Sequence, residues 1–357
     1  MELKTAVMAP ADTAQDLAEA ARRLEILAAR YEQAALSSAA AELAQRLEQN
    51  RFHLVVVGQF KRGKTTFLNA LLGEALLPVA VLPLTSVVTV LRYARTPRAT
   101  VHFQDGRSGE IPLDGLADYV TEAGNPRNAK GVAYVEVFHP SPWLEGGVTL
   151  IDTPGVASVY EHNTQVTYEF LPRMDAAIFI TSPEPPLTSA EIEFLRDLGK
   201  QAGRIFFVMN KADAVEPGHL AEVLGFVRRS LPRELPADTG EIFPISARLA
   251  LEAKQKRDHL LLERSGLPAL ERRIEQFLRE EKTRVFQTAA ARRLLALAAE
   301  LSMLLKLEIQ AAQLPLDELQ ARISEFDRQL RLAQQQREDN RVLLRAGLAR
   351  LSASFEN

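Results

Sequence analysis

The stretch that most constrains this chain is "FHLVVVGQFKRGKTTFLNALLG", residues 52–73. A nearly continuous apolar run ends in glycine, as a strand buried on both faces does. A helical pattern begins at Thr65. Between them, "GQFKRGKT" fits G-x-x-x-x-G-K-[ST], which chance produces about once in a hundred chains of this length at average composition. Strand, glycine-rich loop and helix, in that order, form the context the pattern requires. Gly58 and Gly63 let the backbone bend so that its N–H groups face phosphate oxygens, and the helix N-terminus favours an anion. The loop residues Gln59, Phe60, Lys61, Arg62, Gly63, Lys64, Thr65 and Thr66 are therefore expected to surround a phosphate chain. Lys64 would reach the β- and γ-phosphates, and the Thr65 hydroxyl would hold Mg²⁺.

Similar apolar runs follow at 86–93, 134–138, 148–152, 176–181, 205–210 and 241–246, with helical patterns at 188–200, 216–231 and 267–281. Strands alternating with helices predict an α/β domain with a mostly parallel sheet. "ATVHFQDG", 99–106, is expected to form an antiparallel edge hairpin with 86–93, closed by Asp105-Gly106.

Two of those strands end in chemistry. "DTPG" closes the run at 148–152, so Asp152 is placed to hold Mg²⁺ through water, and the Gly155 N–H to meet the γ-phosphate. "NKAD", 210–213, closes "IFFVMN". The Asp213 carboxylate can accept two hydrogen bonds from guanine N1–H and N2–H₂, a donor pair adenine lacks on that edge. The Lys211 stem can lie along the base and Asn210 can tie this loop to the phosphate loop. "SAR", 246–248, ends the last strand; the N–H groups of Ser246 and Ala247 are expected at guanine O6, with Arg248 beside them. The ligand implied is GTP or GDP with Mg²⁺. A threonine should close over the metal and the γ-phosphate, and Thr85, in the proline-bearing loop "LLPVAVLPLTSVV", is chosen over the strand residue Thr89.

The 357 residues favour about two domains. The net charge of −3 argues against bulk attraction to nucleic acid or anionic lipid. Without cysteine, disulfides and thiolate chemistry are excluded. The N-terminus lacks a basic start and an apolar run, and so does not read as a signal peptide. The most apolar segment, "LLALAAELSMLL" at 294–305, is far short of the roughly 20 residues of a spanning helix and reads as a buried helix. A cytoplasmic protein, peripheral at most at the inner face of the membrane, is expected. Residues 11–49 carry an apolar face at Leu17, Ala21, Leu24, Ala28 and Tyr31, with a break expected at Ser37 and Ser38. Past Pro315, residues Leu316, Leu319, Ile323, Phe326, Leu330 and Ala333 form a heptad-like, coiled-coil seam. Helices before and after the central domain bury their faces most simply in a shared bundle. The expected organisation is N-terminal bundle helices over 1–50, a nucleotide domain over 51–282, and C-terminal bundle helices over 283–357.

"GQFKRGKTTFLNALLG", "LPLTSVVTVLRYA", "VTLIDTPG" and "NKAD" together resemble the dynamin superfamily, and within it the bacterial dynamin-like proteins. The resemblance spans roughly 51–282; the flanking helices match only in kind, as the neck bundle of such proteins. It implies GTP hydrolysis, a homodimer through the nucleotide face or a second dynamin-like partner, and action on membrane lipid; no transmembrane segment is expected from the apolar runs, and no nucleic acid from the charge. Val156 follows "DTPG" where many small GTPases carry a water-orienting glutamine. In the family's terms, Lys61 stands where relatives carry a charge-neutralising loop element. Lys61 or Arg62 would then supply transition-state charge, against the alternative that either faces solvent or pairs with an acidic residue. Only 283–357 follows the central domain, room for a neck and the start of a trunk, so the chain is either a fragment or a short protein that depends on a partner. A regulatory GTPase acting on RNA or a ribosome and a slow nucleotide-gated scaffold are the competing readings.

Overall fold

The computed structural model describes residues 10–79, 87–156, 161–232, 235, 241–313 and 316–355, excepting the side chains of 10–12, 161–163, 313, 316, 317, 319 and 342–355. Two helices, α1 (Pro10–Arg30) and α2 (Ala34–Glu48), precede a nine-stranded sheet. The strands are β1 (Phe52–Val57), β2 (Val88–Tyr93), β3 (Arg98–Phe103), β4 (Ser108–Ile111), β5 (Val132–His139), β6 (Val148–Asp152), β7 (Ala176–Thr181), β8 (Ile205–Met209) and β9 (Ile242–Pro244). They lie in the order β4-β3-β5-β2-β6-β1-β7-β8-β9. From β6 to β9 every neighbour is parallel. Helices α3 (Lys64–Leu72), α4 (Ala117–Val120), α5 (Glu161–Phe170), α6 (Ser189–Gln201), α7 (Pro217–Ser230), α8 (Ala247–Lys256), α9 (His259–Arg264) and α10 (Leu267–Glu280) connect or follow them, and α11 (Lys282–Gln313) and α12 (Leu316–Phe355) complete the chain.

The central strands are buried along their whole length. Their alternate side chains feed two cores. One face, with Leu54, Val56, Ile178 and Phe206, packs on α3, α8 and α10. The other, with Val55, Val57, Phe179 and Phe207, packs on α6 and α7. Burying one such side chain stabilises the fold by about 1.5–3 kcal/mol.

The expected hairpin partner of 99–106 is corrected. Asp105-Gly106 closes β3 onto β4, and the inner neighbour of β3 is β5. β2 sits deeper, parallel to β5 and antiparallel to β6. The local turn chemistry was legible; the long-range pairing of two interchangeable apolar runs was not.

The chain divides into two compact units after Leu297. In the first, α1 and α2 form a hairpin whose buried residues include Ala18, Ala21, Leu24, Ala28, Leu36, Ala40 and Leu43. The break lies at Tyr31–Gln33 rather than at the serines. Glu32 takes a left-handed φ of 57°, and Gln33 N–H donates to Ala28 O, a helix-ending arrangement. Ser37 sits inside α2, where its hydroxyl donates to Glu25 O of α1. Tyr31, past the end of α1, is 41% exposed instead of joining the buried face. Val285, Phe286 and Ala290 of α11 share a core with Leu43, Ala44 and Leu47 of α2, so the N-terminal helices meet the start of α11, up to Leu297.

The apolar segment at 294–305 is covered on one side only. Leu294 and Leu297 pack against the core, whereas Leu295 and Met303 are 71% and 64% exposed. Adjacent helical residues point about 100° apart, so a run this dense cannot share one face. The second unit comprises the rest of α11 and α12. There α12 runs unbroken through the polar stretch 334–341, and Ile323, Phe326 and Leu330 of the seam are exposed. Among the described residues no helix is long and apolar enough to cross a membrane.

Candidate functional site

Parallel pairing of β6, β1, β7, β8 and β9 brings their C-terminal ends to one edge of the sheet, the usual ligand crevice of such folds. The loop after β1 carries Gly58 to Lys64 into α3. Gly63 has φ +87° and lies so close to Asn210 that a Cβ would come within 2.3 Å of its Nδ2. Lys64 is buried; its Nζ donates to the carbonyls of Gly58 and Gln59 at 3.1 and 3.3 Å. Burial pushes its ammonium down to about 8, with Asp152 and Glu191 opposing that drop. A phosphate chain in the loop would restore the charged form.

Asp152, at the end of β6, is buried and raised to about 6 by that burial, against the pull of Lys64 and the Thr65 hydrogen bond. Its Oδ2 accepts from Thr65 Oγ1 at 2.8 Å, while its Oδ1 is buried without a partner. A hydroxyl and a carboxylate beside an anion loop, with one carboxylate oxygen unspent, suit a hard cation such as Mg²⁺. Among the described residues no group of three His, Cys, Asp or Glu is arranged to hold a metal, so the metal would lean on phosphate and water. Thr85 lies outside the described residues. Thr89 is in β2 opposite Asp152, as a strand residue.

Gly155 presses on the loop: a Cβ there would meet Phe60 N and Cα at 2.8 Å. Val156 N–H donates to Gly58 O at 3.2 Å. The "DTPG" segment is thus laced to the phosphate loop by backbone contact.

Residues 54–213 match the model of the Dynamin family. The chain is 36% identical over 318 residues to an uncharacterised protein from the xynA 3′ region of Caldicellulosiruptor sp., covering 89% of this chain and 79% of that one. The chain belongs to the dynamin superfamily. It is 29% identical to the bacterial dynamin-like protein of Nostoc punctiforme, over 67% of this chain and 38% of that protein. One chain of an oligomerised bacterial dynamin pair superposes with a TM-score of 0.55 at 20% identity, covering 97% of this chain and 54% of that one. The chain therefore spans about four fifths of the first relative but well under two thirds of these two dynamins.

Membership of this GTPase family implies a guanine nucleotide. A cavity of about 450 Å³ is lined by Gly63, Thr66, Asn210, Lys211, Asp213 and Arg248, among others. Lys211 is exposed and holds a left-handed φ of 64°. Asp213 pairs with Arg248 at 2.9 Å. Burial alone would raise that carboxyl, but hydrogen bonds from Ser246 and Arg248 outweigh it and hold the group below its usual value.

The N–H groups expected at guanine O6 have partners within the protein. Ser246 N–H donates to Ser265 O, and Ala247 N–H to Asn210 Oδ1 at 2.9 Å. Both serve the protein's own loops. Ser246 also caps α8, its hydroxyl accepting from Leu249 N–H. Asn210 links the two loops as expected, its Nδ2 donating to Arg62 O at 2.8 Å.

The two additional loop cations part company. Lys61 is exposed, at a left-handed φ of 63°, with its ammonium 5.2 Å from the centre of the Phe60 ring. Arg62 turns inward and pairs with Glu191 at 2.8 Å. Glu191 was not singled out from the sequence. "TSAE", 188–191, carries a capping-box signal, and Thr188 and Glu191 do cap α6 reciprocally. That signal places a glutamate at a helix start but not its partner.

Proposed function

We propose that this chain binds GTP with Mg²⁺, hydrolyses it, and couples nucleotide-dependent dimerisation across the sheet's C-terminal edge to movement of the helical bundle, in membrane remodelling or fusion. The observation that carries this reading is the joint placement of the Lys64 loop, Asp152 with its unspent oxygen, and the Asp213 cavity along that edge. Thr65 and Asp152 would hold the metal, which when bound spreads the charge of the transferring phosphoryl group. Lys64 would draw on the β- and γ-phosphates, and the loop N–H groups would stabilise the charge that grows as water attacks. Thr85 is proposed to close over the γ-phosphate.

Val156 cannot orient a water, and its N–H is spent on Gly58. Lys61, exposed beside this site, is the remaining candidate for transition-state charge. Its position on the open edge of the loop suits a contribution completed in a dimer. Lys61→Ala is expected to lower dimer-stimulated turnover about 10- to 100-fold, with GTP affinity changed much less. Equal turnover in the variant and the wild type would remove Lys61 from the mechanism.

The bundle supports transmission because Arg46 of α2 forms a buried 2.6 Å ion pair with Asp175, beside the start of β7. Nucleotide-dependent sedimentation with liposomes is the expected association. Salt-sensitive RNA binding in its place would favour the ribosomal reading.

A further inference from the structure

Arg62 lies within the phosphate loop, yet its guanidinium contributes nothing to the loop's open side. It is 3% exposed. All five N–H donors of an arginine find acceptors. Nε and Nη2 fork onto Oε1 and Oε2 of Glu191 at 3.0 and 2.8 Å. Nη2 also donates to Gln59 Oε1 at 3.1 Å, and Nη1 to Ser182 Oγ and Pro185 O. Glu191 is fully buried, and its Oε2 accepts from Thr188 N–H and Oγ1. The Arg62 carbonyl meanwhile accepts from Asn210, which accepts from Ala247. One residue thus joins the phosphate loop, the end of β7, the start of α6 and the base loops.

This arrangement answers a physical problem. N–H dipoles aimed at a common point repel one another until an anion arrives, so an anion loop must be held open from outside. A fork of two charge-assisted hydrogen bonds is stiff and directional. Paired with Glu191, Arg62 is locally neutral; its contribution is to shape.

We propose that Arg62 and Glu191 are a positioning pair that holds the phosphate loop in its anion-accepting form, so that guanine di- and triphosphates depend on the pair equally. The proposal rests on reading this loop as a guanine-nucleotide site. A loosened loop would have to be reordered by the nucleotide, which weakens binding. The cost falls on contacts that GDP and GTP share, and leaves the assembled site competent once filled.

The test is calorimetric binding of GDP and of a non-hydrolysable GTP analogue, with steady-state turnover. Arg62→Lys retains the charge but cannot make the fork. Ser182→Ala removes one outer acceptor and leaves the buried pair intact, which covers the case in which Arg62→Lys does not fold. Arg62→Lys is expected to raise both Kd values by the same factor, about tenfold, with KM following and kcat within about twofold. Ser182→Ala should raise both about two- to threefold. Unchanged affinities for both variants, a loss confined to the triphosphate, or a fall in kcat at constant Kd would overturn the pair's role. A wild-type chain that binds neither nucleotide would overturn the nucleotide reading beneath it, an outcome distinct from the other three.

Discussion

Lys64 and Asp152 share a buried corner of the site, and burial displaces both in the direction of the neutral form. That gives nucleotide binding a pH signature. The ammonium that phosphate requires is lost as pH rises through about 8, so affinity for GDP should fall above that point, by at most about tenfold per pH unit. Titration calorimetry from pH 7 to 9.5 checks this; a flat profile would mean that Lys64 keeps its charge. At the other end of the site, Asp213→Asn exchanges an acceptor for a mixed amide. GTP affinity should fall about 100-fold or more while xanthosine triphosphate gains, as nucleotide competition would measure; undiminished preference for GTP would refute the base assignment. Both side chains were legible because each sits in a short pattern whose chemistry is local. Arg62 was visible only as a cation with two possible orientations. Its partner lies on α6, and no local pattern connects the two. The Ser246 and Ala247 N–H groups are a parallel case: their protein acceptors, Ser265 O and Asn210 Oδ1, lie on other segments that the tripeptide alone does not reveal.

Among the elements, the central strands and the helices α3, α6, α7 and α10 followed from apolar period and turn residues, because both are set by nearest neighbours, whereas α5 between β6 and β7 was not expected. Strand β2 did not, since its pairing with β5 and β6 depends on which of several equivalent runs the folded sheet places beside it. The contact of α2 with the sheet belongs to the same class. Arg46 is buried with Asp175, which also accepts from His53 N–H at 2.7 Å, and Phe52 next to it packs on Phe277 and Phe286. Removing one member of a buried pair strands the other charge. Arg46→Ala should therefore cost about 3–5 kcal/mol in denaturant unfolding. Replacing both, Arg46→Met with Asp175→Leu, should cost clearly less than the two single losses combined. Strict additivity would show that the pair does not act as a unit.

At the scale of the molecule, the candidate nucleotide groups gather at one edge of the sheet while α2 and the start of α11 share a core with Phe52 at the start of β1, so the proposed coupling would have to span the length of the strands. The exposed Lys61 places a charge beside the Phe60 ring at the nucleotide edge, and the proposed function requires that edge to be completed by a second copy. The direct measurement is GTP turnover per chain as protein concentration rises from well below to well above micromolar, with and without liposomes. Specific turnover is expected to climb several-fold with concentration and to be abolished by Lys64→Ala throughout. Specific turnover that stays constant across the range, while GTP remains bound, would contradict the proposed function.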